Sequence, residues 1–226
     1  MFESIYGSPW VATFAVAVIS FGGFAWWARG QSFLVAFVAL FTLEILGDAL
    51  NAGAWSPLRD DSPWKDAVAL LFVLLGDFRY FLLVERFARR PTARAREATA
   101  WSAWGTAFGW MAIVPLTMQL LRTIAPARFA GRWSFATYEA LILALVIGLR
   151  FLALPRRLAA APPAVRAWLV AVTNFEIAQY ALWLVADLII MVGVDAGFAL
   201  RLVPNVMYYG LFIGFVAWRA PAEVKQ

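Results

Sequence analysis

Acidic, arginine and tyrosine residues are set inside long apolar runs of this chain, and their spacing is that of helix faces. Glu44, Asp48 and Asn51 fall at i, i+4 and i+7, which places all three on one side of a helix. Glu176, Tyr180, Trp183 and Asp187 extend the same device over i, i+4, i+7 and i+11. Arg201, Asn205, Tyr208 and Phe212 follow at comparable spacing, while Asp77, Arg79 and Tyr80 stand near the centre of another apolar run. Six acids, Glu44, Asp48, Asp77, Glu139, Glu176 and Asp187, thus face three arginines, Arg79, Arg150 and Arg201. A single Asp or Arg at the centre of a membrane helix costs about 2.5–3.5 kcal/mol. Pairing therefore leaves surplus carboxylates that must be protonated, hydrated or neutralised by a bound cation. A protonatable carboxylate facing a polar cavity is what proton coupling or recognition of a cationic solute requires. Tyr180, Trp183, Tyr208 and Tyr209 add faces for stacking or cation–π contact with such a ligand. The competing reading is structural: interhelical bonds such as Arg79–Asp77 and Arg201–Asp187, each worth less than about 2 kcal/mol. That reading explains the pairs and leaves the surplus acids unexplained.

Other chemistries are narrowed by absence. The sequence has no cysteine and no histidine. Disulfides, thiolate nucleophiles, iron–sulfur clusters and cysteine zinc sites are excluded, together with the usual general base and the commonest metal ligand. No phosphate-binding loop, dinucleotide fingerprint, metal-ligand cluster or nucleophile elbow is present. No metal or cofactor is expected, no catalytic residue is assigned, and an enzyme working on lipid through paired carboxylates is the least supported class.

Elements to position these residues follow from composition. The 226 residues are 63% hydrophobic, 16% aromatic and only 15% charged, against about 25% charged in soluble domains. Mean hydropathy is +0.74. Apolar runs bounded by charge, proline or glycine cover residues 8–28, 33–54, 66–87, 99–121, 134–154, 165–193 and 197–218. Each is long enough for one crossing, which takes about 20 residues, and only helices satisfy their backbone within one segment in lipid. The expectation is an all-α, polytopic integral membrane protein: a single domain over residues 1–226 with seven transmembrane helices. Its lipid partner is the cell (inner or plasma) membrane. The net charge of +5 arises from arginines scattered between the spans, which fits positive loops at a membrane surface better than nucleic-acid binding. Arg29, Arg86, Arg89, Arg90, Arg94, Arg96, Arg156, Arg157, Arg166, Arg219 and Lys225 fall on one side, and Arg59, Lys65, Arg122, Arg128 and Arg132 on the other. The richer side is cytoplasmic, so the amino terminus lies outside and the carboxyl terminus inside. The first span lacks a basic leader region and reads as retained. Trp10, Trp26, Trp27, Trp55, Trp64, Trp133 and Trp218 sit at span ends, where indoles anchor at the headgroups. Depths counted from span midpoints put Glu44, Asp77, Arg79, Glu176 and Tyr180 near the midplane and Asp48, Asn51, Asp187, Arg201 and Glu139 in the outer half.

Two further features concern packing. Gly105 and Gly109 form a G-x-x-x-G in the fourth span, a spacing suited either to a homodimer contact or to close packing within the bundle. Pro115 and Pro204 permit kinks, the latter beside Asn205. Seven helices in this orientation resemble opsins, but retinal needs a lysine deep in the last helix. Lys65 and Lys225 both lie outside the spans. The run Trp183–Leu184–Val185–Ala186–Asp187–Leu188–Ile189, followed by Tyr208, Tyr209 and a closing Trp218, resembles the end of PnuC-type nicotinamide riboside transporters. These are seven-helix proteins related in architecture to the PQ-loop group. The resemblance covers residues 176–218, with Gln179–Tyr180 where another tryptophan is anticipated, and implies facilitated passage of a small metabolite. The function expected is therefore transport of a small polar or cationic solute, with or without proton coupling. A seven-helix sensor without retinal, signalling to a partner protein through its arginine-rich loops, is the alternative.

Overall fold

The computed structural model describes residues 1–8, 10–11, 32–52, 56–59, 62–88, 96–129 and 131–225. All regular structure among the described residues is helical. After the short α1 (Phe2–Tyr6) come α2 (Ser32–Ala52), α3 (Pro63–Ala88) and α4 (Arg96–Ile124). A 3-10 turn at Pro126–Phe129 leads to α5, which runs as Arg132–Gly148, a π-helical stretch at Leu149–Ala153 and a last turn at Leu154–Arg157. Then follow α6 (Pro163–Met191) and α7, which runs as Ala196–Val206, a π-helical stretch at Met207–Leu211 and Phe212–Arg219. The chain closes with α8 (Ala222–Lys225).

Six helices are long and apolar enough to cross a membrane: Phe33–Asn51, Ala67–Phe87, Trp101–Ile124, Arg132–Arg157, Pro163–Met191 and Ala196–Arg219. Each ends within three residues of the expected span. The first expected span, residues 8–28, lies almost wholly outside the described residues. The outer surface has the chemistry of a lipid-facing one. Leu43, Leu70, Phe108, Leu116, Leu120, Phe151 and Leu152 are all exposed, and soluble monomers rarely expose so many large apolar side chains. Trp10, Trp64, Trp133 and Trp218 are likewise exposed. The protein is a multi-pass membrane protein.

Each π stretch adjoins a proline. Pro155 follows Leu149–Ala153, and Pro204 precedes Met207–Leu211. Proline has no N–H, and the Pro155 ring crowds the Phe151 carbonyl inside the stretch before it, so the i→i−4 ladder shifts there to the wider register; Pro204 disturbs the ladder at Leu200, one turn before its own stretch. Pro115 has no such neighbour, and α4 runs through it as an uninterrupted α-helix.

The chain forms two compact units, one of Met1–Arg79 with Asn205–Gln226 and the other of Tyr80–Pro204. In the first, α2 buries Leu34, Phe37, Val38, Phe41, Ile45 and Ala49, an apolar stripe at the 3.6-residue period. The Phe212–Arg219 part of α7 packs on α2, burying Phe212, Ile213, Val216 and Ala217. In the second unit α5 packs along α6, and α4 packs on α5. The stripe of α6 is Val165, Trp168, Leu169, Val172, Thr173, Glu176, Gln179, Tyr180, Ala186 and Asp187, apolar at one end and polar at the other.

Glycines show which close approaches matter. A Cβ on Gly76 would fall on the hydroxyl of Tyr208, whereas at Gly105 and Gly109 it would meet no described atom within 4 Å. Gly105 and Gly109 are exposed, and their spacing does not serve close packing within the described unit. Gly76→Ala is expected to lose about 1–3 kcal/mol, because overpacking displaces a buried ring. Gly109→Ala should stay within about 0.5 kcal/mol of wild type. Thermal unfolding in detergent, followed by tryptophan fluorescence, separates the two.

Candidate functional site

The first unit gathers Glu44, Asp48, Asn51, Asp77, Arg79 and Tyr208, all buried, with the half-buried Asn205 and Tyr209 on the same α7 segment. One face of α2 presents Glu44, Asp48 and Asn51, as the spacing requires. α7 answers with two consecutive tyrosines. The Tyr208 hydroxyl donates to Glu44 Oε1 at 3.4 Å, and the Tyr209 hydroxyl donates to Asp48 Oδ2 at 2.6 Å. Adjacent residues of a regular helix diverge by about 100°. Here Met207–Leu211 is π-helical, and the wider turn lets both rings reach α2, with their centroids 4.8 Å apart. The Tyr208 hydroxyl also lies 3.4 Å from the Phe72 carbonyl. Asn51 donates to the Lys65 carbonyl at 3.4 Å.

Arg79 is fully buried. Its guanidinium carbon lies 4.2 Å from the centre of the Tyr208 ring and 4.3 Å from that of Phe212, and Nη2 donates to the Tyr208 carbonyl at 3.2 Å. Arg79, Asp48 and Asp77 lie within electrostatic range of Glu44. Among the described residues, Glu44 Oε2, Asn51 Oδ1 and Arg79 Nε and Nη1 are buried without a hydrogen-bond partner.

The second unit treats its buried acids differently. Asp187 is fully buried and meets two arginines, Arg132 at 2.8 Å and Arg201. Arg201 also reaches Glu139 Oε1 at 3.2 Å, so α5, α6 and α7 are joined by one network. Glu85 accepts from Trp110 Nε1 at 3.0 Å and pairs with Arg157. Tyr80 donates to Thr173 Oγ1 at 3.1 Å, and Thr173 in turn donates to the Leu169 carbonyl at 2.7 Å. Glu176 and Arg150 lie within electrostatic range of Tyr80, and Arg150 donates to Asn174 at 3.1 Å. Tyr180 and the half-buried Trp183 meet edge to face at 5.3 Å.

Arg132 and Arg157 correct the sequence tally, which assigned both to loops. Scanning for apolar runs stops at the first charge, yet α5 begins at Arg132 and ends at Arg157, and both fold back onto acids of neighbouring helices. Gln179, seen in sequence only as a departure from a motif, is fully buried, and neither its amide nitrogen nor its oxygen has a partner among the described residues. An unpaired buried amide costs about 1–3 kcal/mol. Gln179→Leu should therefore be as stable as wild type or more so by about 1 kcal/mol, read as the melting temperature in detergent. A clear loss would mean that the amide holds a buried partner.

Among the described residues no group of three acids converges at metal-ligand spacing. No protein-family model, curated protein or solved structure matches this chain.

Proposed function

We propose that this protein is a transporter of a small polar or cationic solute, with Glu44 and Asp48 as the groups that bind the solute or a coupled proton. One contrast carries the reading. Three buried acids of the second unit, Glu85, Glu139 and Asp187, are ion-paired with arginines, whereas Glu44 and Asp48 are hydrogen-bonded by tyrosine hydroxyls. A hydroxyl satisfies a lone pair and leaves the negative charge in place. Membrane-buried carboxylates without a matching cation are expensive, and they mark ion or solute pathways. Tyr208 and Tyr209 wall the site and Arg79 is its countercharge; Arg201, with Asp187, closes the network of the second unit. Glu176, Tyr80, Tyr180 and Trp183 extend the polar stripe there.

The same reading has seven spans, the amino terminus outside and the carboxyl terminus in the cytoplasm, in the inner or plasma membrane. The resemblance of residues 176–218 to PnuC-type and PQ-loop-like transporters agrees with it. A thermal-shift screen of the detergent-purified protein against amines, amino acids, nucleosides and sugars tests binding. A ligand at a hundredfold excess over its Kd stabilises the folded state by about 2.7 kcal/mol. Stabilisation by at least one solute that Asp48→Asn no longer recognises is the expected result. A flat screen, equal in both proteins, counts against a solute site.

A further inference from the structure

We infer that the solute is a zwitterion, its carboxylate taken by Arg79 and its cationic group by Glu44. This rests on the transport reading and specifies its substrate class.

Three observations lead there. First, Arg79 and Glu44 are complementary charges in one unit that do not meet. Glu44 Oε2 and two guanidinium nitrogens, Nε and Nη1, are each buried without a partner among the described residues. Second, Tyr208 separates the two charges and holds both. Its carbonyl accepts from Arg79, its ring covers the guanidinium, and its hydroxyl donates to Glu44. Gly76 leaves the room that this ring occupies. Third, the unused groups have a direction. Arg79 offers only N–H donors, and Glu44 Oε2 offers an acceptor when ionised, as does Asn51 Oδ1 on the same face of α2. A simple cation would satisfy Glu44 and leave Arg79 Nε and Nη1 without acceptors. A simple anion would do the reverse. A molecule carrying a carboxylate at one end and an ammonium at the other satisfies both, and charge-assisted bonds of this kind are the strong ones. Asp48, already bonded to Tyr209, supplies further negative charge beside the ammonium end.

The test uses the full-length protein in detergent and matched probes: ω-amino acids of two to five carbons, the corresponding alkylamines and the corresponding alkanoates. Thermal-shift titration of wild type should give tighter binding of at least one amino acid than of its alkylamine or alkanoate, by tenfold or more. Arg79→Gln should lose that preference and bind the amino acid no better than the amine. Because Arg79 is fully buried, the variant can fail to fold, and the wild-type series decides the matter without it. Amines that bind as tightly as the amino acids would overturn the zwitterion and leave a cation transporter standing. Alkanoates that bind best would overturn it in favour of an anion site at Arg79. No binding by any of the three series would remove this inference, while binding of a different class in the broader solute screen would keep the transport reading.

Discussion

Asp187→Asn is expected to destabilise the protein by about 3–5 kcal/mol. The side chain is fully buried between Arg132 and Arg201. The amide keeps the volume but removes the charge that both guanidinium groups share. Removing one partner of a buried ion pair strands the other, and measured penalties of that kind fall at about 3–5 kcal/mol. Arg132 is a third exposed and recovers part of its hydration, so the loss is dominated by Arg201. Glu139 remains within reach of Arg201 and offsets part of it. Adding Arg201→Gln to Asp187→Asn should restore some stability, because contacting residues are not additive. Thermal unfolding of the four proteins of this cycle in one detergent measures the coupling. Additive losses would mean that the network is not a unit.

The same chemical change one unit away should do the opposite. Glu44→Gln and Asp48→Asn are expected to fold with unchanged or raised stability and to lose solute flux by tenfold or more. Each carboxylate is buried, and its hydrogen-bond donor is a tyrosine, which an amide oxygen also accepts from. Arg79 lies within electrostatic range of both acids without a hydrogen bond to either, so neutralising one of them removes a desolvation cost and breaks no ion pair. Function-linked strain of this sort is where activity and stability trade against each other. Melting temperature and uptake into proteoliposomes, measured on the same preparations, check both halves. Variants that retain full flux would assign Glu44 and Asp48 a packing role, and variants that unfold would place them with Asp187 as structural charges.

Much of this was readable from residue order. Six spans could be placed because apolar runs of that length have few alternatives in lipid, and the Glu44–Asp48–Asn51 face followed from the fixed helical period. Arg201–Asp187 was legible for the same reason, since both belong to stripes of known spacing. Tertiary partners chosen from outside a stripe were not. Arg132 and Arg157 stand at helix ends, where a charge looks like a loop residue until the neighbouring helix is in place. Tyr209 reached Asp48 through the π stretch at Met207–Leu211. Pro204 signals a disturbance there, but the register change itself depends on packing and is not written in the local sequence. Gln179 was visible only as an oddity, because an unsatisfied amide is defined by surroundings and not by spacing.

Transport is the central claim, and solute counterflow tests it most directly. Proteoliposomes loaded with a saturating unlabelled ligand, chosen from the binding screen, are diluted into trace labelled ligand. Transient accumulation of label above the level of empty liposomes, abolished by Asp48→Asn, is the result predicted here. Ligand that binds the reconstituted protein with the affinity measured in detergent but never accumulates would contradict transport and identify a sensor in its place.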